Sequence, residues 1–318
     1  MSAPHRIDTH HHIVPPKYYA RQPERIMAAA GRNAGIPTWT PAKAIEAMDR
    51  CGIATAVTSI SAPGVWFGDA KESCEICRDC NEFAAGMAHD HRGRFGVFAA
   101  LPMLDVEGSL REIEHAFGVL KADGVGLVTN YEDLWPGEAR FAPIFNELNR
   151  RKAVVYFHPT TSNCCLNLLP GVTPAVIEFP FDTTRAIISL LFSGTFARCP
   201  DIRWIFSHGG GALPMLAGRV SAIVKAQKHL VEHVPHGAMH EFKKLNYDTV
   251  SVFDPVGFNA VKAMVGVPKM LFGTDFPYWE PEANISALTA QDLTPAELRA
   301  IERDNALALI PTLATRKA

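Results

Sequence analysis

The sequence predicts an α/β fold, a (β/α)8 TIM barrel with insertions after its first and fifth strands. Eight short β-rich segments alternate with helical patterns along all 318 residues. The intervals between them are long enough for the crossover helices that parallel neighbours require. No low-complexity stretch, charge block or linker interrupts this alternation, so residues 1–318 are expected to form one domain. An open doubly wound sheet would want a glycine fingerprint after its first strand. Neither G-x-G-x-x-G nor a P-loop is present there.

The first strand is placed at Arg6–Ile13, where an apolar approach runs into Asp8-Thr9-His10-His11-His12. The second and third fall at Thr55–Ser61 and Arg94–Leu101, with helices expected at Pro41–Arg50 and Asp69–His91 around them. After the helical pattern Val106–Ala122 comes the fourth strand, Gly124–Asn130. A helix over Phe141–Arg151 leads to the fifth, Ala153–Pro159, whose core reads Val-Val-Tyr-Phe-His. The sixth, Ile202–His208, follows a helix at Thr183–Arg198. Helices at Ala212–Val231 and Pro255–Val265 bracket the seventh, Lys244–Val250. The eighth is Lys269–Phe276, and a last helix runs from Pro295 to Ile310 with Thr294 as its cap. The insertions are Pro15–Thr40, holding Tyr18, Tyr19 and Trp39, and Thr160–Asp182. Loops that long tend to be lids or binding loops, so both are expected to shape the pocket.

Composition narrows the function. Hydrophobic residues make up 47% of the chain and charged ones 20%, which supports an ordinary globular core. A net charge of −2 gives no electrostatic reason to expect nucleic acid or an anionic membrane. No apolar run reaches the ~20 residues that span a bilayer. Met1–His5 lacks a basic region followed by an apolar stretch, so no signal peptide is expected and a cytoplasmic enzyme is the default. Seven cysteines in a chain of this size do not form a disulfide framework. Cys74, Cys77 and Cys80 have an iron–sulfur look, but no fourth cysteine follows at a convincing interval. Their spacing stacks them on one buried face of the helix Asp69–His91. Cys164 and Cys165 lie in the loop after the fifth strand and are expected near the site, without an assigned role.

The chemistry lies at the strand ends. Side chains alternate along a strand, so His10 and His12 share a face, about 6–7 Å apart, while His11 points away. Two such imidazoles can share a metal ion. The flanking Arg6-Ile7-Asp8 and Ile13-Val14-Pro15-Pro16 separate this run from a histidine tag. His158 ends the fifth strand, His208 the sixth and Asp275 the eighth, and catalytic groups of such barrels gather at these C-terminal ends. One such residue could be a cap or a satisfied core polar group. Several apolar strands ending in His or Asp point instead to a divalent metal, zinc or manganese, with room left for solvent or substrate.

These positions, in this order, resemble the amidohydrolase superfamily and its branch of metal-dependent decarboxylases, which act on aminocarboxymuconate semialdehyde, γ-resorcylate and 6-methylsalicylate. The likeness covers nearly the whole chain and is anchored by Asp8–Pro15, Phe157-His158-Pro159, Ser207-His208-Gly209-Gly210 and Gly273–Pro277. It implies that His10, His12, His158 and Asp275 hold one metal ion, with His208 catalytic beside it. The family's binuclear members use a carboxylated lysine at the fourth strand's end. Gly124–Asn130 contains no lysine, so a mononuclear site is implied. Arg219, eleven residues after His208, has the spacing of an arginine that binds substrate carboxylate in the neighbouring subunit, which implies a homodimer; an ordinary solvent-facing arginine is the plainer reading. The stretch Phe179–Arg185 resembles the 6-methylsalicylate decarboxylases.

The expected reaction is non-oxidative decarboxylation of an ortho-hydroxyaromatic acid or a related unsaturated acid, with Asp275 delivering the proton and His208 supporting it. A metal-dependent hydrolase of a lactone or ester is the alternative, since the same site supports both reactions.

Overall fold

Eight parallel strands pair strictly in chain order, each with its sequence neighbours. The computed structural model describes residues 5–315. The expectation about Met1–His5 falls, except for His5, outside the described residues. The strands are β1 Arg6–His12, β2 Ile53–Ser59, β3 Phe95–Ala99, β4 Gly124–Val128, β5 Val154–His158, β6 Arg203–Phe206, β7 Asn246–Asp248 and β8 Met270–Leu271. Backbone bonds join the last strand to the first. Thr9 N donates to Phe272 O at 2.9 Å, His12 N to Phe276 O at 2.7 Å and Asp275 N to His10 O at 2.7 Å. The result is a (β/α)8 barrel with helices between the strands.

The barrel interior is plugged by Ile7, Val57, Phe98, Tyr156, Ile205 and Leu271, and the C-terminal Ile310 and Leu313 join this cluster. Phe98 and Tyr156 stack at 5.5 Å, and the edge of His10 meets Tyr156 at 5.5 Å. The histidines at the strand ends therefore stand on a packed floor rather than over a pore.

Several elements depart from the sequence reading. The eighth strand is regular only at Met270–Leu271, and beyond it Asp275 turns into the left-handed region with φ +60. The helix expected at Thr183–Arg198 begins at Pro174 and runs to Phe192, absorbing Phe179–Arg185. Pro180 lies inside it. Proline removes one helical hydrogen bond and reads as a breaker, yet Thr184 Oγ1 donates back to Pro180 O at 2.9 Å and the helix continues.

The first insertion also folds, into helices Pro16–Arg21 and Pro23–Ala29. Tyr18 and Trp39 are buried in the core rather than in a pocket. Tyr18 Oη donates to Gly64 O at 2.8 Å, and Trp39 packs on Phe83.

The helix Ala70–Asp90 carries the cysteine triplet as expected. Cys77 and Cys80 are buried, and Cys77 Sγ donates to Ala100 O. The C-terminal segment opens at Pro295 with a full capping box between Thr294 and Glu297, then passes through a π-helical turn at Ala300–Asp304. No described helix is long and apolar enough to cross a membrane.

Candidate active site

β1 delivers His10 and His12 to one face, as strand alternation requires, with ring centroids 4.8 Å apart. His11 points the other way, stacking on Phe276 while Asp8 Oδ2 lies 3.0 Å from its Nδ1. His158 arrives from the end of β5, His208 from the turn after β6 and Asp275 from the segment after β8. The four donor atoms of His10, His12, His158 and Asp275 all lie within 4.8 Å of one another, and all four residues are buried.

The geometry centres on Asp275. Its Oδ1 lies 3.2 Å from His10 Nε2, 3.2 Å from His12 Nε2 and 3.9 Å from His158 Nε2. Its Oδ2 lies 3.6 Å from His208 Nε2. Yet Asp275 Oδ1 and the Nε2 atoms of His10 and His12 are buried without a hydrogen-bond partner of proper geometry. Buried polar atoms are almost always satisfied, so atoms that converge on one point without bonding each other fit a shared cation.

The far side of each ring supports that reading. His10 Nδ1 is 2.8 Å from Asp248 Oδ2, and His158 Nδ1 donates to Pro159 O at 2.8 Å. His12 Nδ1 lies 3.0 Å from Ser59 Oγ. A proton held at Nδ1 leaves the Nε2 lone pair free, which is how ligating histidines are oriented.

Electrostatics agree. Burial pushes His12 down to about 4, against the pull of Asp275, and drives His158 well below the usual imidazole range. Both are neutral donors at neutral pH. Burial also acts to lower His10, but Asp248 and Asp275 overturn it and hold the ring at about 10. Burial opposes charge on Asp275 too, and the adjacent His10 cation keeps its carboxyl well below the usual range. His10 thus holds its proton between the Asp248 and Asp275 carboxylates, and a divalent cation would compete for that place.

His208 and Asp275 share an unusual backbone. Both are left-handed, with φ +53 and +60, a region that His and Asp enter more readily than most side chains. The glycines after His208 allow close packing: a Cβ on Gly209 would meet Val252 Cγ2 at 2.8 Å, and one on Gly211 would strike Pro180 O at 2.0 Å. A cavity of about 700 Å³ opens over His158, His208 and Asp275.

Arg219 is not brought into this cavity; it stands exposed on the helix Leu213–Ala226. The first insertion reaches the cavity through Ala29, Ala30, Gly31 and Asn33, not through its aromatic residues. Cys164 and Cys165 do not line it either; their sulfurs lie 3.4 Å apart in a short turn. The sequence reading overlooked Asp248, which ends β7. The signal was available, since Asn246-Tyr247-Asp248 ends in an acid just as β5 ends in a histidine. Ser61 and Tyr278, on the cavity wall, were also unmarked.

Residues 7–312 match the family model described as Amidohydrolase. Decarboxylase yanB of Aspergillus niger is 33% identical over 96% of this chain and 87% of its own length. The 6-methylsalicylic acid decarboxylase of Penicillium expansum is 31% identical over 97% of both chains. Among solved structures, the 5-carboxyvanillate decarboxylase LigW2 of Novosphingobium aromaticivorans, with bound manganese, superposes with a TM-score of 0.86. It covers 96% of this chain and 97% of its own at 20% identity, a likeness of fold.

Proposed function

Because this chain belongs to the amidohydrolase family, with its model matched over residues 7–312, we propose that it is a metal-dependent decarboxylase of ortho-hydroxybenzoates of the 6-methylsalicylate kind. One observation carries the reading: a single carboxylate, Asp275, faces the imidazoles of His10, His12, His158 and His208 at once. His10, His12, His158 and Asp275 would hold one divalent ion, zinc or manganese, since imidazole and carboxylate suit both. When bound, the ion supplies Lewis-acid polarisation of the substrate's carboxylate and neighbouring hydroxyl.

The chain's own residues do the proton work. Asp275, after taking a proton relayed from solvent by His208, passes it to the ring carbon that bears the carboxylate. The bond from that carbon to the carboxylate then breaks, its electron pair restores the aromatic ring, and CO₂ leaves. His208, 3.6 Å from the second Asp275 oxygen and reachable from the cavity, relays that proton and hydrogen-bonds the substrate. Phe179, whose ring lies 6.1 Å from His158, gives a flat acid an apolar wall. We further propose a homodimer in which Arg219 of one protomer meets substrate carboxylate in its partner's site; the residue's exposure and its absence from the lining of its own chain's cavity suit that role.

The test is CO₂ release and ultraviolet change by metal-reconstituted protein on 6-methylsalicylate and γ-resorcylate, with an aromatic lactone as control. The expected result is CO₂ from the salicylates and none from Asp275→Asn. Lactone opening without CO₂ would overturn the reading.

A further inference from the structure

The Asp182 carboxylate takes no part in the proposed proton transfer, yet it is among the most enclosed acids of the barrel. It lies on the helix Pro174–Phe192, 1% exposed, and does not line the cavity. Three neutral donors converge on it. Thr129 Oγ1 donates to its Oδ2, as does Asn130 Nδ2 at 2.7 Å, and Trp135 Nε1 donates to its Oδ1 at 2.9 Å. Arg185 Nη1 stands off at 3.9 Å. Burial pushes this carboxyl above the usual range, against the pull of those three bonds. A buried acid is expensive unless its bonds are kept, so it holds its donors tightly.

Those donors belong to the strand end beside His158. Val128, the last residue of β4, pairs with His158 across the sheet. Thr129 then grips the chain on both sides of that histidine. Its N donates to His158 O at 3.1 Å, and its Oγ1 accepts from Thr160 N at 3.0 Å. A hydroxyl has one proton. With that proton committed to Asp182, the Thr129 oxygen presents its lone pairs to Thr160. In the other direction, Asp182 follows Phe179 by three residues, just under one helical turn. The Phe179 ring in turn meets the edge of His158 at 6.1 Å. The path closes on itself, from His158 through Thr129, Asp182 and Phe179 back to His158.

We infer that Asp182 is a positioning residue, which fixes His158 against the Phe179 wall by holding the Thr129 hydroxyl. The inference rests on the metal-dependent decarboxylase reading for what His158 and Phe179 do, and adds what keeps them in register.

The test is zinc affinity, read by competition with a chelator, which needs no turnover. Loss of an outer partner of a ligating histidine costs 10–100-fold. Asp182 acts one bond further out, so Asp182→Asn should cost about ten-fold, the low end of that range. Thr129→Val keeps the shape, removes the hydroxyl and should cost the same. The double variant should lose no more than either single one, because both break one link. Thr129→Ser restores the hydroxyl and should bind zinc like the wild type. Trp135→Phe removes the bond to Oδ1 alone, and should lower Tm while zinc affinity stays unchanged. That contrast separates positioning from general loosening, and the Thr129 variants carry the test should Asp182→Asn not fold. At saturating zinc, Asp182→Asn should raise KM for 6-methylsalicylate more than it lowers kcat. Equal losses in Thr129→Val and Trp135→Phe, additive losses in the double variant, or an unchanged KM would overturn the positioning role. A wild type without zinc affinity would overturn it as well. The expected zinc pattern in a protein that releases no CO₂ would instead remove the decarboxylase reading and leave Asp182 in its role.

Discussion

The Asp248 carboxylate binds His10 and the backbone of His208 at once. Its Oδ2 lies 2.8 Å from His10 Nδ1, and its Oδ1 accepts from His208 N at 2.9 Å. One buried acid at the end of β7 thereby positions a candidate metal ligand and the candidate proton relay together. Replacing a carboxylate behind a ligating histidine typically costs 10–100-fold in metal affinity or activity. Asp248→Asn should therefore weaken metal binding about 10–100-fold, read by competition with a chelator. Wild-type affinity in that variant would remove Asp248 from this role.

Asp275 and His208 differ in what their loss should do. Asp275→Asn is expected to abolish turnover, because it removes both a proposed ligand and the proton carrier. His208→Ala should slow kcat by roughly 10²–10⁴ while metal content stays at the wild-type level. Metal analysis beside steady-state kinetics separates the two. Loss of metal from His208→Ala would make it a ligand rather than a relay.

The trapped proton makes metal uptake pH-dependent. Despite burial, Asp248 and Asp275 hold His10 at about 10, against an ordinary imidazole value of 6.5. A raised value of this kind stabilises the fold fully below 6.5, and the gain disappears as pH rises through about 10. A metal ion must displace that proton, so apparent affinity should rise nearly ten-fold per pH unit up to that point. Calorimetry in buffers of different ionisation enthalpy at pH 8 should report close to one proton released per ion. Binding that is flat with pH would contradict this assignment.

If Arg219 serves the neighbouring active site, two dead proteins should rescue each other. Arg219→Ala and Asp275→Asn damage different halves of one composite site. A mixed dimer then holds one site with an intact Asp275 and a partner that supplies Arg219. Mixing the two after partial unfolding should recover about a quarter of wild-type activity, the statistical yield for one good site in half the dimers. Recovery absent from a mixture that demonstrably exchanges subunits would assign Arg219 to solvent.

The barrel and the histidine–aspartate cluster were legible because both are written in short-range pattern. Alternation along β1 alone puts His10 and His12 on one face, and apolar strands that end in His158, His208 or Asp275 carry their chemistry to one rim. The helix holding Phe179 begins at Pro174 rather than Thr183 and runs through Pro180, whose carbonyl accepts the Thr184 back-bond. Tyr18 and Trp39 looked like pocket residues because they sit in a long insertion. That insertion folds, and burial of their large apolar surface sends them to the core.

By itself the sequence pointed to the barrel and to the strand ends that carry His10, His12, His158, His208 and Asp275. What only tertiary structure decided was how residues far apart in the chain meet. Asp248 reaches His10 across 238 residues, and Val252 and Val261 close on the glycine beside His208. Strand periodicity acts within a few residues and leaves its mark in local pattern. The partner behind a histidine and the wall of a cavity are set by closure of the barrel, so a strand-end acid such as Asp248 marks a candidate without naming the histidine it meets.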